Sequence, residues 1–302
     1  MTFATGQGWQ EAVLSVTDLD RWAHDLGILG GWEITHRGAA DQRLLNHWRL
    51  PQGASAEEMV LVSPDRDERW LRLIKFAGVK QHATRASAQP WDTGGLFSLL
   101  THTQDIEATY ATALGLGWGS FNEIDVMTFE GNSQPNVVLR APDGVAFGCY
   151  QFTDRPGLPP KTKFGPPFTS QQMVRDLAAA QSFYEQALGC SASYVGETRL
   201  KINQFGMPQN YAGWVPKKVA LMEETKAHWG RLELVEWLVF KGRDVSAKAA
   251  APNIGPLALR WGTAAIDPSM ASVEVDLAPF GPMRLAALRS PDGAVIELVA
   301  AN

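Results

Sequence analysis

Glu297 and Glu233 stand in two similar phrases, Ile296-Glu297-Leu298-Val299 and Leu232-Glu233-Leu234-Val235. Carboxylates set on strands can share a proton as acid and base, or hold a divalent cation together with water. The first phrase closes the run Arg289-Ser290-Pro291-Asp292-Gly293-Ala294-Val295-Ile296-Glu297-Leu298-Val299, which reads as strand, tight turn, strand. Pro291 and Asp292-Gly293 break two apolar runs, and Gly293 supplies the positive φ of the reversal. Along the last strand Val295, Glu297 and Val299 share one face while Ile296 and Leu298 share the other, toward a covering layer, so Glu297 is a carboxylate on the face without helices. His36, His47 and His102 fall on predicted strands, where a lone histidine is packed or at the surface more often than it is a base. Trp32, Trp48, Trp118, Trp214, Trp229, Trp237 and Trp261 lie in or beside strands, either as core or as the lining of a cavity suited to aromatic ligands.

The elements that must position these residues come as an internal repeat. Val137 to Tyr150 copies the Pro-Asp-Gly hairpin turn for turn, Met59 to Ile74 copies it with a longer turn, and Val219 to Val235 copies it without Pro-Asp. Each copy closes a β-α-β-β-β unit. Asp18, Asp105 and Asp176 stand at the N-cap of a helix with apolar residues at helical spacing, and Gly27 to Gly31, Gly117 and Gly189 end those helices. The fourth unit opens with Leu257 to Trp261 and has room only for an abbreviated helix around Ile266 to Val273. A Pro-rich stretch at 156–168 reads as a stiff connector, which sets a first domain at 1–155 and a second at 169–302, with two units in each. The loop Asn203 to Tyr211, long and punctuated by Gly and Pro, is a candidate lid.

At 302 residues, with 45% hydrophobic and 20% charged residues, the chain suits two soluble globular domains of ordinary size. A net charge of −5 gives no electrostatic reason to expect nucleic acid or an anionic membrane as partner. Cys149 and Cys190 fit no metal or redox spacing and read as small core residues. No apolar run is long enough for a membrane helix and the N-terminus lacks the marks of an export signal, so the expected location is cytoplasmic.

The strand-Asp-Leu-helix openings at Asp18-Leu19, Asp105-Ile106 and Asp176-Leu177, with the closing Pro-Asp-Gly-(x)3-Glu-Leu-Val at Pro291 to Val299, resemble the vicinal oxygen chelate superfamily. That group includes glyoxalase I, bleomycin-resistance proteins and extradiol dioxygenases. The resemblance covers nearly the whole chain and implies an α+β fold in which paired βαβββ modules form cups of strands, one site per pair, often around a divalent metal. It places metal ligands on the first strand of each module, usually His or Gln, and on the last strand as Glu. Counted seven residues ahead of each capping Asp, the first-strand positions are Glu11, Ser98 and Thr169, and the same count from Asp267 gives Arg260; the last-strand positions are Arg72, Gly148, Glu233 and Glu297.

This set departs from the family pattern. A catalytic divalent site wants about three converging protein ligands, and none of the histidines occupies a ligand position. In the N-terminal pair Arg72 would repel a metal; Glu11 and Arg72 suit a buried ion pair, or an anchor for a polar substrate group. The C-terminal pair offers Glu297 and Glu233 as metal-binding or acid-base residues, with Thr169 a poor third ligand and Trp261 beside them as a substrate contact. The resemblance therefore implies a glyoxalase- or dioxygenase-like enzyme acting on a small apolar or aromatic oxygenated metabolite, with an incomplete ligand set for its metal. The alternative is a metal-free small-molecule binding protein of the bleomycin-resistance kind. A further reading makes the N-terminal pair a scaffold or dimer surface, and halves that pair across a homodimer would close the cups equally well.

Overall fold

The structure is a computed structural model that describes residues 2–85, 87–129, 132–152, 163–201, 214–224, 229–239 and 241–301. Module one comprises β1 (Trp9–Ser15), α1 (Leu19–Gly30), β2 (Glu33–Ala39), α2 (Gln42–His47), β3 (Ser55–Ser63) and β4 (Arg66–Ala77). Module two comprises β5 (Ser98–Thr103), α3 (Ile106–Gly115), β6 (Gly119–Ser120), β7 (Asp125–Phe129), β8 (Asn132–Arg140) and β9 (Ala146–Gln151). Module three has β10 (Thr169–Met173), α4 (Leu177–Leu188), β11 (Ser191–Lys201), β12 (Trp214–Glu223) and β13 (Arg231–Trp237). Module four has β14 (Gly255–Gly262), β15 (Ser272–Asp276), β16 (Pro282–Arg289) and β17 (Val295–Ala301).

The local signals explain these elements. Asp18, Asp105 and Asp176 sit in extended backbone and accept from Arg21 N, Ala108 N and Ala179 N, so each satisfies an orphan donor at its helix start. Gly31 and Gly189 end α1 and α4 in the left-handed conformation, and Gly293 takes φ 77° at the closing turn. Module four has no helix between β14 and β15, only a turn closed by Met270 N to Asp267 O. His47, expected on a strand, instead ends α2, which Asp41 caps.

The four modules pair as two curled sheets, but not along the expected boundary. One sheet runs β15-β16-β17-β14-β1-β4-β3-β2 and joins module one to module four; the other runs β11-β12-β13-β10-β5-β9-β8-β6 and joins module two to module three. The division at 1–155 and 169–302 therefore separates neither sheet. β10 pairs antiparallel with β5 directly across the Pro-rich stretch, whose described end buries Phe164 and gives Phe168 N to Leu100 O at 2.8 Å. A connector rich in proline marks a boundary only when the chain on each side finds its partners on its own side; here module one waits for module four. Both cups close within one chain.

The helix-side faces of both sheets and the helices α1, α3 and α4 share one core that includes Trp9, Trp22, Leu99, Phe147, Tyr184 and Ile296. The aspartates of the Pro-Asp-Gly turns stitch this core from opposite ends. Asp143, in the second sheet, accepts from Thr17 N and from Trp22 Nε1 at 3.1 and 2.9 Å; Asp292, in the first, accepts from Arg175 N and Nε at 3.1 and 2.9 Å. Trp22 is fully buried. Asp143→Ala, which leaves its indole N–H without an acceptor, is expected to cost about 1–3 kcal/mol, read as a shift of the urea midpoint at unchanged m.

Candidate functional site

The first cup, between modules one and four, gathers all four of its ligand-type positions at one point. β1 and β14 pair Glu11 with Arg260, and β14 and β17 pair Arg260 with Glu297. Arg260 Nε donates to Glu297 Oε2 at 2.7 Å and its Nη1 to Glu11 Oε2 at 2.6 Å. Glu11 Oε1 accepts from Trp70 Nε1 at 2.7 Å and Arg72 Nε at 3.0 Å, so the expected Glu11–Arg72 ion pair is present. Arg72 Nη1 lies 2.8 Å from Glu58 Oε2, its Nη2 donates to Ala278 O at 2.7 Å, and Trp48 Nε1 donates to Glu297 Oε1 at 2.6 Å. Glu11, Arg72, Arg260 and Glu297 are each 0% exposed.

Burial opposes the charge of Glu11, but Arg72 and Arg260 beside it, with hydrogen bonds from Arg260 and Trp70, hold its carboxyl below the ordinary value. Burial likewise opposes the Arg260 charge, and Glu297 and Glu11 outweigh it and raise that pKa. α2 closes over this cluster: Leu45 and Trp48 pack with Val13, Phe76 and Leu257, and Leu44 packs with Leu277 and Leu285. Burial lowers the pKa of His47, at the end of the same helix; Glu297 opposes that shift and Arg260 adds to it. Trp48→Phe keeps an aromatic ring and removes the donor to Glu297; about 1–3 kcal/mol of stability should be lost, measured by chemical unfolding.

The second cup, between modules two and three, is built differently. At its centre Gln171 Nε2 donates to Glu233 Oε1 at 3.0 Å, and Ser98 Oγ donates to Gln171 Oε1 at 3.3 Å. Lys217, 5% exposed, brings its Nζ to 3.8 Å from Glu233 Oε1 and 5.9 Å from the centre of the Trp237 ring. Burial lowers the pKa of this lysine, and Glu233 partly opposes the shift. Around the polar centre lie Val215, Val219, Phe97 and Trp237, with Tyr194 packed against them, and a second cluster of Leu100, Tyr150, Phe152, Phe168 and Trp229. His102 stands edge-on to Trp229 in that second group.

These positions correct several expectations. Glu297 and Glu233 do not share a cup, because each sheet takes one C-terminal module. Thr169 is buried on the cup face of β10, but Gln171, two residues on, makes the contact with Glu233. Trp261 follows Arg260 on β14 and so points the other way, into the helix-side core, with its Nε1 on Glu224 Oε2 at 2.7 Å. Residues 203–211, the candidate lid, lie outside the described residues. The sequence reading missed Gln171 and Lys217, which two adjacent glutamines in a central strand and a lysine alternating with Val215 and Val219 could have pointed to.

Among the described residues neither cup fits a divalent metal. In the first, two buried guanidinium groups occupy two of the four positions and claim the carboxylate oxygens. In the second, Gln171 and Glu233 are opposed by Ser98 and Gly148, with an ammonium beside the carboxylate. Among the described residues no group of three His, Cys, Asp or Glu converges as a cation site needs. No helix among them is long and apolar enough to cross a membrane.

No family model and no curated protein matches the sequence. Solved structures do. Glyoxalase I from Zea mays matches over 97% of this chain and 92% of its own, with a TM-score of 0.64 at 17% identity. A putative dioxygenase from Bacillus subtilis matches over 98% of this chain and 86% of its own, with a TM-score of 0.59 at 9% identity. With three βαβββ modules and a fourth that lacks the helix paired in two curled sheets, and that arrangement matched over nearly its whole length, the chain has the fold of the vicinal oxygen chelate superfamily.

Proposed function

We propose that the chain binds a small aromatic molecule carrying an oxygen function in the second cup, without a protein-held divalent metal. The observation that carries this reading is Lys217: an ammonium 5% exposed, with apolar and aromatic residues around it and Glu233 3.8 Å away. A buried ammonium attracts anionic oxygen strongly in a low-dielectric setting, and a phenolate or carboxylate seated among Tyr150, Phe168 and Trp237 would add one to its surroundings. Tryptophan fluorescence titration with benzoate, phenol and benzyl alcohol tests this. Saturable quenching by benzoate or phenol that survives a chelator supports it; no saturable response from any of the three overturns it.

An enzymatic reading, in line with the glyoxalase and dioxygenase names of its structural neighbours, uses the same residues. The lowered pKa of Lys217 favours it, since an amine nearer neutral can give up a proton to a bound oxygen while Glu233 accepts one. Turnover of a bound aromatic, lost at least 100-fold in Glu233→Gln with binding retained, would establish it. A cytoplasmic setting is consistent with two buried free thiols, Cys149 and Cys190.

A further inference from the structure

We infer that the first cup remains a cation site whose cation is built into the chain: the Arg260 guanidinium bridges Glu11 and Glu297, and a chain with Arg260 cut back would be a receptor for free guanidinium. Three features point there. Each carboxylate has one oxygen committed to an indole N–H, Glu11 Oε1 to Trp70 and Glu297 Oε1 to Trp48. The oxygens left over, Glu11 Oε2 and Glu297 Oε2, are bridged by Nη1 and Nε of one planar guanidinium at 2.6 and 2.7 Å. Arg260 Nη2, the nitrogen between these two donors, is buried and has no hydrogen-bond partner among the described residues, so the guanidinium is held through its other two nitrogens. A flat cation whose donors point outward in different directions fits two separate carboxylates set in this way, whereas a compact metal ion wants oxygens converging on a point.

Charge agrees with the assignment. Glu11, Glu58 and Glu297 bring three negative charges against two positive ones from Arg72 and Arg260, and removal of Arg260 leaves two negative charges uncompensated. The loss should therefore be large, and a small cation that reaches the gap should reverse it.

The test is thermal unfolding of the full chain as Arg260→Ala. Its Tm should fall on the order of 10 °C, and millimolar guanidinium chloride should recover several degrees of it saturably, whereas equal sodium chloride or urea should not. Wild type should gain nothing. Absence of recovery overturns the inference, and so does recovery by manganese chloride in preference to guanidinium, which would make the cup a metal site. If Arg260→Ala does not fold, the combination Glu11→Gln, Arg260→Met and Glu297→Gln decides the matter. Removing the cation together with both of its carboxylates should return the Tm close to wild type, and a triple variant that stays destabilised shows that Arg260 does not serve those carboxylates.

Discussion

Glu11→Leu is expected to remove on the order of 5 kcal/mol of unfolding free energy, a large part of what a domain of ordinary stability has. Glu11 is the shared member of the first cup's cluster: Trp70 Nε1, Arg72 Nε and Arg260 Nη1 all donate to it. Leucine leaves three buried donors without that acceptor and two guanidinium groups with one carboxylate fewer. Glu11→Gln should cost about half as much, because an amide oxygen still accepts from Trp70 and Arg72 while the NH2 faces the Arg260 fork. The urea midpoint, at unchanged m, measures both effects.

The pH dependence carries an independent check. The folded carboxyl of Glu11 is held below its ordinary value, so its contribution to stability is complete above the unfolded pKa of about 4.3 and is lost as pH falls through the lower folded value. Wild type and Glu11→Leu should therefore differ most near neutrality and converge in acid. A Glu11→Leu midpoint equal to wild type at neutral pH would show that the cluster does not hold modules one and four together.

Much of this arrangement could be read from local residue types, because it rests on local rules. The capping aspartates, the Pro-Asp-Gly hairpin and the facing of Glu297 depend on a few adjacent side chains, and each stands as expected. The count from Asp267 also reached Arg260 although module four has no helix. What sequence could not fix is non-local. Whether β1 pairs with β5 or with β14 depends on edges far apart in the chain, and no periodicity encodes it. The same count failed at Thr169, since contact with Glu233 is set by the β10–β13 register, which puts Gln171 opposite it. Six residues of α2 carried two adjacent leucines, Leu44 and Leu45, and so resembled a short strand.

Lys217→Met should separate binding from stability in the second cup. Burial is the main cause of the lowered pKa of Lys217, which means that the folded chain holds the ammonium less comfortably than water does, even with Glu233 nearby. The sign follows from proton linkage: folding disfavours the proton, so this site costs stability below the folded pKa, and the cost diminishes as pH rises toward the unfolded value of about 10.4. An apolar side chain of similar length removes that cost, while Glu233, 13% exposed, keeps Gln171 and partial access to water. The Tm of Lys217→Met is therefore expected to stay within a few degrees of wild type or to rise. Affinity for benzoate or phenolate, in contrast, should fall at least 10-fold, as loss of a charged hydrogen bond worth about 1.5–3 kcal/mol requires. Benzyl alcohol, which brings no anionic oxygen, should lose much less. Equal loss for all three ligands would place the oxygen elsewhere in the cup, and a Tm drop as large as that of Glu11→Leu would make Lys217 a structural counter-charge instead of a ligand contact.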